Sequence, residues 1–180
     1  MDVLYNIKTS KNEFSLVYGE YPNLGISLCI PDFLIDIFDK DNSEEHAPLE
    51  IPNIIKVCKT YGITFTLHST KAAYNEKENS ERIIAATFSY QKDIISRTAP
   101  GYQCHEVACK KISNFSVFVL EYSSEVTENR MYNLFFMFMH NNQIIYGNFS
   151  CYIEDAEEYE MVFKMCVNTI KNMDKDKKEN

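Results

Sequence analysis

The sequence predicts an α+β protein, with an antiparallel β-sheet of about six or seven strands, a C-terminal helix packed on one face and a second helix at about 80–96. Three observations lead there. Seven strand-length runs between residues 13 and 153 are rich in β-branched and aromatic residues and bounded by turn formers. The links between several of them, such as Ser113-Asn114 and the His-Asn-Asn-Gln of 140–143, are too short for a parallel crossover. Two other segments repeat apolar residues at three- and four-residue spacing instead.

EFSLVYGE (13–20) and GISLCIP (25–31) are the first strands. FDKDNSEEHAPLE (38–50) is charged and contains proline, which marks an exposed connection. YGITFTLHST (61–70) is the next strand and NEKENSE (75–81) a second connection. In SERIIAATFSYQKDIISR (80–97), Ile84, Thr87, Phe88, Gln91, Ile94 and Ile95 share one helical face and Ser80 is placed to cap the first turn. IIAATFSY by itself also has strand character. CHEVACKKI, FSVFVLEYSS, YNLFFMFMH and QIIYGNFSCYI follow as strands.

The last element is an amphipathic helix with Tyr159, Val162, Phe163, Cys166, Val167, Ile170 and Met173 on its apolar stripe. Asp155 and Glu158 have capping-box spacing, acids crowd the positive helix end, and Lys171 stands near the negative one. DKDKKEN (174–180) should fray. The expected organisation is a single α+β domain over 1–173 with a frayed charged tail at 174–180.

The segment MYNLFFMFMHNNQIIYGNFSC (131–151) defines a hairpin if Asn141 and Asn142 form a two-residue turn at positive φ. His140 then faces Gln143, Met139 faces Ile144, Phe138 faces Ile145, Met137 faces Tyr146 and Phe136 faces Gly147. One side carries Leu134, Phe136, Phe138, Ile145, Gly147, Phe149 and Cys151 and is the seat for the C-terminal helix. The other carries Asn133, Phe135, Met137, Met139, Ile144, Tyr146, Asn148, Ser150 and Tyr152, apolar near the turn and polar farther away. Either a second helix or the N-terminal strands cover that side, or Phe135, Met137, Met139 and Tyr146 form a recognition surface.

Of 180 residues, 26 are acidic and 18 basic, a net charge of −8, which disfavours nucleic acid and anionic membranes and favours a basic protein partner. No secretory signal opens the chain and no apolar run reaches the ~20 residues of a spanning helix, so a cytoplasmic location is expected. In a reducing compartment the six cysteines read as small buried hydrophobes.

Little chemistry is encoded locally. Strand alternation puts Cys104 and Cys109 on opposite faces, and His105 lies ~13 Å along the strand from Cys109, which argues against a zinc site. His46, His68, His105 and His140 are scattered, with His140 expected as a solvated turn residue, and no nucleophile elbow accompanies them. The five glycines form neither a phosphate loop nor a dinucleotide fingerprint. The acids Glu154, Asp155, Glu157, Glu158 and Glu160 are explained by helix-end electrostatics, although they also offer a surface to a basic protein. DKDNSEEH lacks the glycine and closing glutamate of a calcium loop. No catalytic residue, metal or cofactor is expected.

GISLCIP, a helix running to GYQ, and YNLFFMF, IIYGNFSC and EEYEMVFKMCVNTIK together resemble the PsbP-like fold of PsbP, the Ran-binding factor Mog and bacterial DcrB-like domains, including Eag-type chaperones. The similarity is strongest over 102–173. It departs from the family pattern at Tyr159, where a tryptophan is usual. The resemblance implies partner binding rather than catalysis and transfers no catalytic residue.

The expected function is therefore a non-enzymatic protein-interaction or accessory module, such as a secretion-effector chaperone or toxin-immunity protein, acting as a monomer or homodimer. Its expected contacts are Phe135, Met137, Met139, Tyr146, Glu157 and Glu158. The competing reading is a small-ligand-binding protein or hydrolase whose site is assembled from distant residues.

Overall fold

The structure is a computed structural model that describes residues 3–37, 54–71 and 80–173. The connection at 38–50, residues 75–79 of the second connection and the tail at 174–180 lie outside the described residues.

Two antiparallel sheets are present. The smaller joins β1 (Val3–Lys8), β2 (Glu13–Tyr21), β3 (Ile26–Pro31) and β11 (Lys171–Asn172) in the order β1-β2-β3-β11. The larger contains β4 (Ile35–Asp36), β5 (Ile54–Cys58), β6 (Ile63–Lys71), β7 (Gln103–Ile112), β8 (Phe115–Val126), β9 (Asn129–His140) and β10 (Gln143–Tyr152), ordered β4-β5-β6-β10-β9-β8-β7. Helix α1 (Ser80–Thr98) lies on one face of the large sheet, and α2 (Ala156–Asn168) with the small sheet closes the other. The sequence anticipated one sheet, but β1, β2 and β3 form a separate layer. Within it Leu16, Ile26, Leu28 and Cys29 are fully buried, in a common core with α2 and the large sheet.

The central hairpin has the anticipated register, from His140 opposite Gln143 to Phe136 opposite Gly147. Asn141 and Asn142 have φ of 47° and 58°, as a two-residue turn between right-twisted strands requires. Gly147 is needed for space: a Cβ there would lie 2.5 Å from Phe136 Cζ and 2.8 Å from the carbonyl oxygen of Thr66. Phe136, Phe138 and Phe149 are buried in the same core as Phe163 of α2, with Phe149 and Phe163 stacked at 5.0 Å.

The stripe expected on α2 is its buried face, from Tyr159 through Val167, and Ile170 is buried just beyond the helix end. Its N-terminus departs from the expected capping box. Asp155 ends a 3₁₀ turn at Ile153–Asp155 and makes no side-chain cap. Instead Asp155 pairs with Lys11 at 2.6 Å, while the Glu158 carboxylate accepts hydrogen bonds from Thr9 and Asn12. These acids tie the β1–β2 hairpin to α2, a tertiary use that local spacing does not encode. At the other end Thr169 Oγ1 accepts from the Cys29 amide at 2.7 Å and donates to the Cys166 carbonyl at 2.6 Å, joining the helix end to β3.

Candidate interaction surface

Helix α1 decides which hairpin residues are accessible. Ile84 and Phe88, both on its expected apolar face, pack over Leu120, Phe135 and Met137, with Ile95 at the margin. Met137 is 1% exposed and Phe135 8%. The reading of these two as an open recognition face is corrected accordingly: they are core under α1, because the helix removes their large apolar side chains from water. Met139 and Tyr146 remain half-buried, Met139 beside α1 and Tyr146 stacked on His68 with ring centroids 4.9 Å apart. Farther from the turn the face becomes polar, as its sequence indicates. Asn133 Nδ2 donates to Ser124 Oγ at 3.1 Å, and Asn148 Nδ2 donates to Asn133 Oδ1 at 3.3 Å.

The two acids expected at a contact have different positions. Glu157 is exposed, whereas the Glu158 side chain is 3% exposed and engaged with Thr9 and Asn12. Along the solvent side of α2 and its leading 3₁₀ turn, Glu154, Glu157 and Met161 are exposed, bordered by Glu160. Met161 is 66% exposed, an apolar side chain in an acidic field.

A partly buried ionic network, centred on Glu121, has no counterpart in the sequence reading. Glu106 and Glu121 stand directly opposite each other on β7 and β8, a like-charge pairing that is unfavourable alone. Lys164 of α2 reaches between them, with Nζ 2.9 Å from Glu121, 2.7 Å from Glu160 and 3.4 Å from Glu106. Tyr132 Oη donates to the other Glu121 oxygen at 2.8 Å. Burial alone would lower the Lys164 pKa, but hydrogen bonds to Glu160 and Glu121 outweigh it and hold the ammonium above its ordinary value. The alternation of FSVFVLEYSS, which turns Glu121 inward with Val117 and Val119, was the available signal. Only the fold brings Lys164 to it.

Burial raises the pKa values of Tyr132, Tyr159, Tyr21 and Cys166, and pushes the Cys151 thiol up to about 12. All five are neutral in the folded state and ionise more readily once unfolded. Their contribution is complete below the unfolded pKa values and is lost as pH rises through the folded ones. The melting temperature should therefore hold to about pH 9, the ordinary thiol value, and then fall. Thermal melts across the alkaline range test this, and a flat profile through about pH 11 would refute the neutral buried state.

Four cysteines, Cys29, Cys58, Cys151 and Cys166, are buried as expected, and all six are free thiols. Cys104 and Cys109 depart from the expectation, being exposed on β7. A β-bulge between Cys104 and Glu106 also overturns the alternation argument, because it brings Cys104, opposite Tyr122, and Cys109, opposite Phe118, to the same face. Among the described residues no three His, Cys, Asp or Glu side chains are grouped as metal ligands. His140 is also corrected: it is 8% exposed, packed edge-on against Phe115 at 5.3 Å, because its position on β9 points into the core. A cleft of about 110 Å³ lies between α1 and the β7–β8 hairpin, lined by Glu81, Ile84, Lys111, Asn114, Phe115, Ser116 and Met139. Three of its polar side chains are engaged with one another, with Ser116 donating to Glu81 at 2.7 Å and Lys111 to Ser116 at 2.6 Å.

The backbone matches the solution structure of the cyanobacterial PsbP, CyanoP, from Synechocystis, with a TM-score of 0.62 over 87% of this chain and 92% of that one, at 10% identity. The fold is PsbP-like. LpqN of Mycobacterium tuberculosis, described as involved in cell envelope biogenesis, matches with a TM-score of 0.57 at 10% identity over 89% of this chain and 91% of that one. The type VI secretion immunity protein TplEi of Pseudomonas aeruginosa, solved with a peptide, gives a lower TM-score of 0.45 at 11% identity, covering 95% of this chain and 78% of that one. No family model matches the sequence, and no curated protein is similar to it. Helix α2 packs into a core that both sheets share, and Tyr159 is buried there. Among the described residues no helix is long and apolar enough to cross a membrane.

Proposed function

We propose that this PsbP-like protein is a non-enzymatic interaction module whose outer α2 surface receives a basic partner protein. The observation that carries this reading is Met161, 66% exposed on the face that also presents Glu157 and Glu154. An adaptable apolar side chain among carboxylates suits a partner with lysines or arginines around an apolar contact. Glu158 supports this surface from beneath by anchoring the β1–β2 hairpin, and Met139 and Tyr146 offer a lesser contact at the margin of α1. Phe135 and Met137 serve the core. Within this class, an accessory chaperone for a secreted effector or an immunity protein fits the acidic surface, which would mask a basic one.

Pull-down from native lysate with mass spectrometry, comparing wild type with Glu157→Lys and Met161→Lys, tests the surface. Both variants should keep the wild-type circular dichroism and lose the partner that wild type enriches. Retention of that partner by both would refute the α2 assignment. Coexpression with toxins encoded beside the gene tests the narrower reading, which fails if no toxicity is relieved.

A further inference from the structure

The outer edge of β7 lies apart from the α2 surface. β7 pairs with β8 and, among the described residues, with no strand on its other side. On the α1 face this edge exposes Cys104, Val107 and Cys109, Val107 at 47%, beside half-buried Phe118 and Tyr122 of β8. Helix α1 covers Leu120 and packs against Phe118 through Phe88, and leaves Cys104, Val107 and Cys109 open. On the opposite face β7 carries Glu106, whose side chain is 45% exposed, and Lys110.

We propose that β7 pairs antiparallel with β7 of a second copy of this chain, about a twofold axis through Ala108, which joins the two large sheets edge to edge. A twofold axis perpendicular to the sheet brings like face to like face, so the symmetric registers are those centred on a residue. Centred on Ala108, both faces are complementary. Glu106 of each copy meets Lys110 of the other, and Val107 of each meets Cys109 of the other, extending the apolar strip across the axis. Moving the centre to Val107 or Cys109 separates Glu106 from Lys110, and moving it to Lys110 sets two lysines face to face. The bulge after Cys104 limits the ladder to the stretch that has this complementarity. Each open edge would gain hydrogen-bond partners that water otherwise supplies.

Sedimentation equilibrium of the full chain tests the proposal. Wild type should dimerise. Lys110→Glu, which sets Glu106 against an introduced carboxylate twice per dimer, should weaken association about tenfold or more, as should Val107→Lys in the apolar strip. Mixing the Lys110→Glu and Glu106→Lys proteins should restore association, because each then supplies the charge the other lacks. A wild type that stays monomeric to its solubility limit would overturn the proposal, as would a dimer unaffected by Lys110→Glu and Val107→Lys. Lys110→Glu and Val107→Lys decide the matter even if Glu106→Lys fails to fold.

Discussion

Lys164→Met is expected to lower the unfolding free energy by about 3 to 5 kcal/mol, read as a lower urea midpoint at neutral pH. The methionine keeps most of the apolar stem but removes the charge that reconciles three carboxylates. Glu121 is the decisive member, since its side chain is 4% exposed and its remaining partner is the Tyr132 hydroxyl. Without Lys164, a nearly dry carboxylate faces Glu106 across the β7–β8 ladder. It must then stay charged at high cost or take up a proton. A second change, Glu121→Gln, should recover much of the loss, because a neutral amide can still accept from Tyr132. A loss below about 1 kcal/mol, the scale of surface ion pairs, would show that the network is solvated and structurally unimportant.

Met137→Asp should be at least as damaging, about 4 kcal/mol or more, since it sets an unpaired charge between the sheet and α1. Met137 is 1% exposed and belongs to the cluster formed by Ile84, Phe88, Leu120 and Phe135. Met161→Asp serves as the control: the same substitution at a side chain 66% exposed should change stability by about 0.5 kcal/mol or less. Parallel urea titrations compare them. A folded, stable Met137→Asp protein would mean that α1 does not hold this face closed, and would restore the face as a contact surface.

The contrast between these two methionines shows where sequence reasoning stops. Both are large and apolar, and one lies on a strand whose alternation marks its face while the other lies on a helix whose period marks it as outward. Alternation places Met137 on a face but does not say what covers that face. That depends on α1, some fifty positions earlier in the chain, docking across β8 and β9. Similarly, Lys164 carries the helical signature of a solvent-facing residue, and only the meeting of α2 with the β7–β8 edge brings it to Glu121. The bulge beside Cys104 is invisible to a period-of-two argument, and it reversed the relative orientation of two cysteines.

By itself the sequence determined the seven longest-patterned strands (β2, β3 and β6 to β10), the two helices and the register of the Met131–Tyr152 hairpin, because each follows from forces acting over a few residues, whereas β1, β4, β5 and β11 carried no comparable local signal. Asparagines that accept positive φ, side chains alternating with the pleat, and a stripe repeating with the helical turn are local properties of the chain. The tertiary structure alone decided that β1 to β3 would form their own sheet, that α1 would close over Phe135 and Met137, and that Glu158 and Glu121 would be structural carboxylates. Those outcomes depend on which distant surfaces exclude water together, and on which opposite charges that exclusion leaves within reach of one another.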